Sequence, residues 1–298
     1  MMVGTSTKCL KVSKPIPFVL HVELSRGPAN AFTTEFWKEY SAVLDKVASP
    51  DDEYGDVRVV VLSSALPKIF TAGIDFQDLS LTTQPRTAFA DPARTAHALR
   101  DHIISFQHAI SSPERCPVPV IAAIHGVVYG LGIDIISACD VRYTASNATF
   151  SIKEVDVGLA ADIGTLAHLP KITGNASLAR ELAFTARPFT AVDALALGLV
   201  SKVVDGGREE VVRAALELAK EIAGKSPIAV VGTKQLLVHA RDHSVPENLL
   251  YTATWNAAML QTAPVTQDIP QAVQASRSKS DERPAFSPLR PGSNKSKL

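Results

Sequence analysis

The chain has 298 residues, 46% hydrophobic and 20% charged, and its 30 basic side chains are balanced by 30 acidic ones. That balance argues against nucleic acid or an acidic membrane surface as partner, because such partners select net basic charge. The longest apolar run, "VPVIAAIHGVVYGLGIDII", is interrupted by His, Gly and Asp, so no membrane-crossing helix is expected.

Along the chain, "FVLHVELSR" alternates as a strand does, and "TTEFWKEYSAVLDKVASPDD" reads as a capped amphipathic helix ending at Pro50. "VRVVVLSSA" has the β-branched run of a buried strand, and "PVPVIAAIHGVVYG" reads as another. "LGIDIISACD" follows with helical length, then "VRYTASNATFSI" returns to strand character. "GTLAHLPKITG" and "NASLARELAFTA" are helical, and "VDALALGLVSKVV" is a helix, a glycine stop and a strand. Alternating strands and helices predict an α/β core over residues 1–208.

From Glu209 the strand signals fade into three amphipathic helical patterns. Isolated helices of that length are marginal in water, so residues 209–280 are expected to form an oligomerisation region. Residues 281–298 have the Pro/Ser/Lys-rich composition of a flexible tail, and they end in Ser296-Lys297-Leu298, the tripeptide read by the peroxisomal import receptor. The N-terminus lacks the apolar core of a secretory signal and reads as an ordinary start. Cys9, Cys116 and Cys139 lie far apart without metal or redox spacing, which suits a reducing compartment. The eight histidines also lack metal spacing, and His125 and His168 are expected to be packed or surface residues.

Three stretches draw attention as candidate chemistry. "KEVDVGLAADIGTL" sets Glu154, Asp156 and Asp162 among apolar residues, where an ionised carboxylate is costly unless paired. "FTAGIDFQDL" runs from a buried strand into Gly73, a residue that lets the backbone approach a ligand. "HGVVYGLGIDII" clusters Gly126, Gly130 and Gly132 where a strand passes into a helix carrying Asp134, and helix N-termini present unpaired N–H groups. The spacing is neither a dinucleotide fingerprint nor a phosphate loop. Backbone donors from two loops plus desolvated acids suit proton transfer beside a carbonyl, with the donors holding the enolate oxygen.

These pieces, in this order and spacing, resemble the enoyl-CoA hydratase/isomerase (crotonase) superfamily over nearly the whole chain. The resemblance implies a spiral of β-β-α units followed by a C-terminal α-helical trimerisation region, assembled as homotrimers or homohexamers. Within the superfamily the chain is most similar to the dienoyl-CoA isomerase branch, because Asp162 stands where hydratases carry a small residue. The implied catalytic acids are Asp134, Glu154 and Asp162, and the implied oxyanion donors are the N–H groups of Ile74 and Leu131. Leu131 replaces the family glycine, a change that keeps the backbone donor. Gly73, Ile74, Asp75, Phe76, Gln77, Gly130 and Gly132 are the implied acyl-CoA contacts, with Arg26 and Ala31 near the CoA.

The implied reaction moves a 3,5-diene to 2,4 by carrying protons between C2 and C6, in β-oxidation of unsaturated acyl chains. It needs no metal and no cofactor beyond the CoA of the substrate. The alternatives are an enoyl-CoA hydratase and a catalytically inactive CoA- or RNA-binding member of the fold. The expected location is the peroxisome, with mitochondria as a second pool.

Overall fold

The computed structural model describes residues 5–49, 54–78, 91–262, 265–277 and 284–290. Among these residues the larger sheet has strand order β1 (Thr5–Ser6), β2 (Leu10–Ile16), β3 (Val19–Leu24), β4 (Val59–Ser64), β6 (Val120–Ile124), β8 (Val141–Ala145) and β11 (Lys202–Val204). Its first three strands pair antiparallel, and the remainder pair in parallel. A smaller sheet has the order β10 (Phe189–Thr190), β9 (Thr149–Ser151), β7 (Val127–Tyr129) and β5 (Ile69–Thr71). Successive strands therefore alternate between sheets, β4 then β5, β6 then β7, β8 then β9.

Period-two side-chain placement accounts for the layers. All six residues of β4 are buried, with Val60 and Leu62 in one core and Val59 and Val61 in another. The expected single strands "PVPVIAAIHGVVYG" and "VRYTASNATFSI" are each two strands, in different sheets. The first divides at Gly126, whose φ is +61° and where an added Cβ would lie 2.1 Å from the Lys68 carbonyl oxygen. Only glycine fits that corner. Both flanking strands are apolar in sequence, so the hydrophobic run continues through the corner and conceals it.

The helices are α1 (Thr34–Ala48), α2 (Pro92–Ile110), α3 (Ser112–Arg115), α4 (Leu131–Ser137), α5 (Thr165–Ile172), α6 (Ala176–Thr185), α7 (Ala191–Leu197), α8 (Arg208–Ala223), α9 (Pro227–Asp242), α10 (Val245–Met259) and α11 (Asp268–Arg277). Thr33 caps α1 by accepting from the Phe36 N–H, and the helix ends at Ala48, with Pro50 outside the described residues. Helix α2 was not anticipated from the sequence. Asp91 caps it, and its buried side chains are confined to Phe106, Ala109 and Ile110 at the C-terminal end. Gly198, at φ +80°, ends α7 as the sequence predicts.

Residue 208, the expected boundary, is the first residue of α8. Helix α8 lays Val211, Val212, Ala215, Ala219 and Ala223 onto Val19, Val59, Val61, Ile121, Ala123 and Ala145, so it forms a layer of the core. Burying each valine contributes about 1.5–3 kcal/mol. Helix α9 buries only Pro227, Gly232 and Lys234, and α10 buries nothing. Val231 packs against the main core, and Lys234 Nζ adds polar ties to Asp140 Oδ2 (2.7 Å), the Pro113 carbonyl (2.7 Å) and the Val118 carbonyl (3.1 Å).

Of the expected tail over 281–298, residues 284–290 are described. Phe286 is buried and its carbonyl accepts from Arg58 Nη2 at 2.8 Å, while Arg290 Nη2 donates to the Ala48 carbonyl at 2.7 Å. Ser296, Lys297 and Leu298 lie outside the described residues. Among the described residues no helix is long and apolar enough to cross a membrane.

Candidate active site

Strands β5, β7 and β9 are parallel, so the segments that follow them leave the smaller sheet at one end. These segments carry Gly73 to Gln77, Gly130 to Asp134, and Glu154 to Asp162. The first two touch. A Cβ built on Gly73 (φ +102°) would lie 3.1 Å from the Tyr129 carbonyl oxygen and 3.6 Å from the Leu131 nitrogen. Gly132 brings α4 equally close to the strands, since a Cβ there would lie 2.8 Å from Thr71 Cγ2.

The Gly73 segment is braced from beneath. Buried Asn30 donates its amide to Ser64 Oγ (2.8 Å) and the Phe70 carbonyl (2.9 Å), and Thr71 Oγ1 donates to the Asn30 carbonyl (2.7 Å). Phe32 N–H donates to the Gly73 carbonyl (2.8 Å), and Asp75 N–H donates to the Phe32 carbonyl (2.9 Å). In this parallel bridge the N–H of Ile74 turns away from Phe32. Leu131 opens α4, where an N–H has no intrahelical acceptor. Neither N–H is engaged by an acceptor among the described residues. The Leu131 side chain belongs to the main core at 2% exposure.

The other contact candidates sort by environment. Asp75 Oδ2 pairs with Arg26 Nη2 at 3.0 Å, Asp75 Oδ1 accepts from the Gln77 N–H, and Arg26 Nη1 donates to the Ala31 carbonyl at 2.7 Å. Phe76 stands out at 67% exposure.

The acids take three distinct environments. Glu154 begins a 3-10 turn (Glu154–Val157), and a Cβ on Gly130 would lie 3.4 Å from its Oε1. Its Oε2 is buried with no hydrogen-bond partner among the described residues. Lys153 does not neutralise it, because its ammonium pairs with exposed Asp156 at 2.7 Å. Asp134 is 2% exposed, and its Oδ1 accepts the Thr165 N–H at 2.6 Å. Asp162 is exposed between buried Ala161 and Ile163, and its carbonyl accepts from Gln107 Nε2 at 2.6 Å.

Burial pushes the Asp134 carboxyl up to about 6 despite the opposing Thr165 hydrogen bonds. Burial, then the Asp134 and Asp162 charges, push Glu154 up to about 7. Burial also raises Asp162. The charges of Asp134 and Asp162 both act on Glu154, and raised carboxyls of this kind suit proton exchange. Sequence reasoning missed Asn30, Gln107 and Thr165, whose roles rest on contacts between distant segments. His125 Nε2 lies 2.8 Å from the Leu66 carbonyl and His168 Nδ1 3.6 Å from Glu114, and no metal-binding cluster occurs among the described residues.

Comparison with known proteins places this geometry among relatives. A family model described as enoyl-CoA hydratase/isomerase matches residues 18–281. The human protein named mitochondrial Δ(3,5)-Δ(2,4)-dienoyl-CoA isomerase is 49% identical over 272 residues, covering 91% of this chain and 79% of the relative. The Arabidopsis thaliana protein of that name, there called peroxisomal, is 43% identical over 91% of this chain and 93% of its own length. The crystal structure of an enoyl-CoA hydratase from Bacillus anthracis superposes with a TM-score of 0.75 at 26% identity, covering 95% of this chain and 99% of that one.

Proposed function

The chain belongs to the enoyl-CoA hydratase/isomerase family, and from that premise we propose that it converts 3,5-dienoyl-CoA to 2,4-dienoyl-CoA during oxidation of unsaturated fatty acids. The observation that carries this reading is the acid cluster: Glu154 sits beside Gly130 at the start of α4, and the charges of Asp134 and Asp162 both act on it.

The N–H groups of Ile74 and Leu131 receive the thioester oxygen. Glu154, ionised, removes a proton from C2, and the electron pair spreads from C2 through the diene into the carbonyl as an enolate. Collapse of that charge takes a proton from Asp162 onto C6 and leaves the double bonds at 2 and 4. C2 and C6 lie ~5 Å apart, too far for one carboxylate to serve both within hydrogen-bond reach. The proton gained by Glu154 equals the one lost by Asp162, so the cycle closes by proton exchange with water. Asp134 adds the negative charge that raises the proton affinity of Glu154. No metal and no separate cofactor enters this scheme.

Gly73, Ile74, Asp75, Phe76, Gln77, Gly130 and Gly132 line the CoA thioester, with Arg26 and Ala31 nearby. The exposed apolar residues of α9 and α10, Leu237, Val245, Leu249 and Leu250, support assembly into trimers or hexamers. The Ser296-Lys297-Leu298 ending supports import into peroxisomes, with mitochondria as a second pool. The deciding assay presents the purified protein separately with a 3,5-dienoyl-CoA and a 2-enoyl-CoA. Diene absorbance shifting to the 2,4 form is the expected outcome. Hydration of the 2-enoyl substrate without isomerisation of the diene would overturn it.

A further inference from the structure

The segment from Gly158 to Thr165 carries Asp162 and has little secondary structure to hold it. Its beginning is tied by the Leu159 N–H to the Glu154 carbonyl at 3.1 Å. Apolar anchoring comes from Ala161 and Ile163, at 8% and 6% exposure, which leaves Asp162 between them facing out of the core. Two polar side chains from other elements then reach it from separate directions. Gln107, in α2, donates Nε2 to the Asp162 carbonyl at 2.6 Å. A carbonyl only accepts, so the amide must present its NH2 there. Asp134, in α4, accepts the Thr165 N–H at 2.6 Å, three residues beyond Asp162.

The location of Asp134 gives this contact its meaning. It follows Leu131 by three residues on the same short helix, so one turn of α4 carries both an oxyanion donor and the acceptor of the Thr165 bond. Its carboxylate is buried and already engaged. We propose that Gln107 and Asp134 are positioning residues that grip the Asp162 segment from two sides and fix the distance from the oxyanion donors to the proton site at C6. The inference rests on the isomerase reading above. It assigns to neither residue a proton of its own. Loss of Gln107, which carries no charge, should therefore damage delivery at C6 while sparing proton removal at C2.

The test follows both steps in one experiment. Purified full-length protein is given a 3,5-dienoyl-CoA in deuterated water, and isomerisation and deuterium entry at C2 are measured together. For Gln107→Ala we expect kcat for isomerisation to fall about tenfold, with KM and C2 exchange changed less than about twofold. Asp134→Ala and Asp134→Asn both remove the charge that raises Glu154, so their C2 exchange should change alike, while alanine should lose more isomerisation than asparagine, whose amide oxygen still accepts the Thr165 N–H. Equal loss of exchange and isomerisation in Gln107→Ala, or an asparagine variant as impaired as the alanine one, would overturn the proposal. If Asp134→Ala does not fold, Gln107→Ala against wild type still decides. A wild-type protein that leaves the diene untouched defeats the isomerase reading itself, which sets that failure apart from a failure of the positioning claim.

Discussion

Helices α8 and α10 are almost equal in length and lie 21 residues apart in the chain, from Ala223 to Val245 by number difference minus one, yet they end in opposite environments. Helix α8 carries a stripe of valine and alanine that closes on the outer face of the larger sheet, whose strands supply the matching valines. Helix α10 spreads its apolar residues around the axis and leaves Val245, Leu249 and Leu250 at 73%, 62% and 72% exposure. Amphipathic pattern alone assigns both to one region, and only the partner surface separates them. The body up to Ala223 buries the apolar stripe of its last helix within one chain. The α9–α10 hairpin does not.

The sharpest test of that autonomy is chemical, since all three acids lie in the body. Glu154→Gln should lower kcat by about 10²-fold or more and abolish C2 exchange into deuterated solvent, whereas Asp162→Asn should lower kcat as much but keep part of the exchange. Substrate turnover with mass-spectrometric detection of deuterium separates the two, and wild-type turnover by Asp162→Asn would defeat the assignment.

Next in size is a matched pair of truncations. Leu62→Ala, in the main core, should cost about 2–5 kcal/mol in chemical denaturation, while Leu250→Ala in a lone chain should stay within about 0.5 kcal/mol. A large cost at Leu250 would mean that another surface covers it in solution. Light scattering addresses that directly. The unaltered protein should give a trimeric or hexameric mass at micromolar concentration, and Leu249→Asp with Leu250→Asp should reduce it to that of one protomer. A monomeric mass for the unaltered protein would break the assembly proposal.

The smallest expected effect is in pH. Asp134 and Glu154 hold protons more tightly when folded, with values raised from 3.8 to about 6 and from 4.5 to about 7. The folded state therefore binds more protons than the unfolded state across that window. Their contribution favours folding at the acid end and declines as pH rises toward about 7. Glu154→Gln should flatten part of that slope in thermal melts taken from pH 5 to 7. As the base, Glu154 should also give kcat/KM an acid limb near 7, and Asp134→Asn should move the limb downward by removing a neighbouring negative charge.

Much of this was legible in the sequence where a local rule governs. The α8 stripe, the Gly198 stop and the buried β4 run all follow from periodicity and capping. The two-sheet corner at Gly126 was not legible, because the sequence stays apolar on both sides of the bend. Helix α2 escaped for the opposite reason: most of its side chains are exposed, so no apolar stripe marks it. The Asp134 contact to Thr165 was hidden because its partner is a backbone N–H, which every residue except proline possesses.

Lys234 gives the hairpin one further property. Its ammonium is enclosed by three acceptors while most of α9 faces outward. Amine-directed reagents should therefore label it after the exposed lysines, and only when α9 lifts away from the turn at Asp140. The time course of its labelling becomes an internal clock for that opening, readable by peptide mass mapping with no probe introduced into the chain.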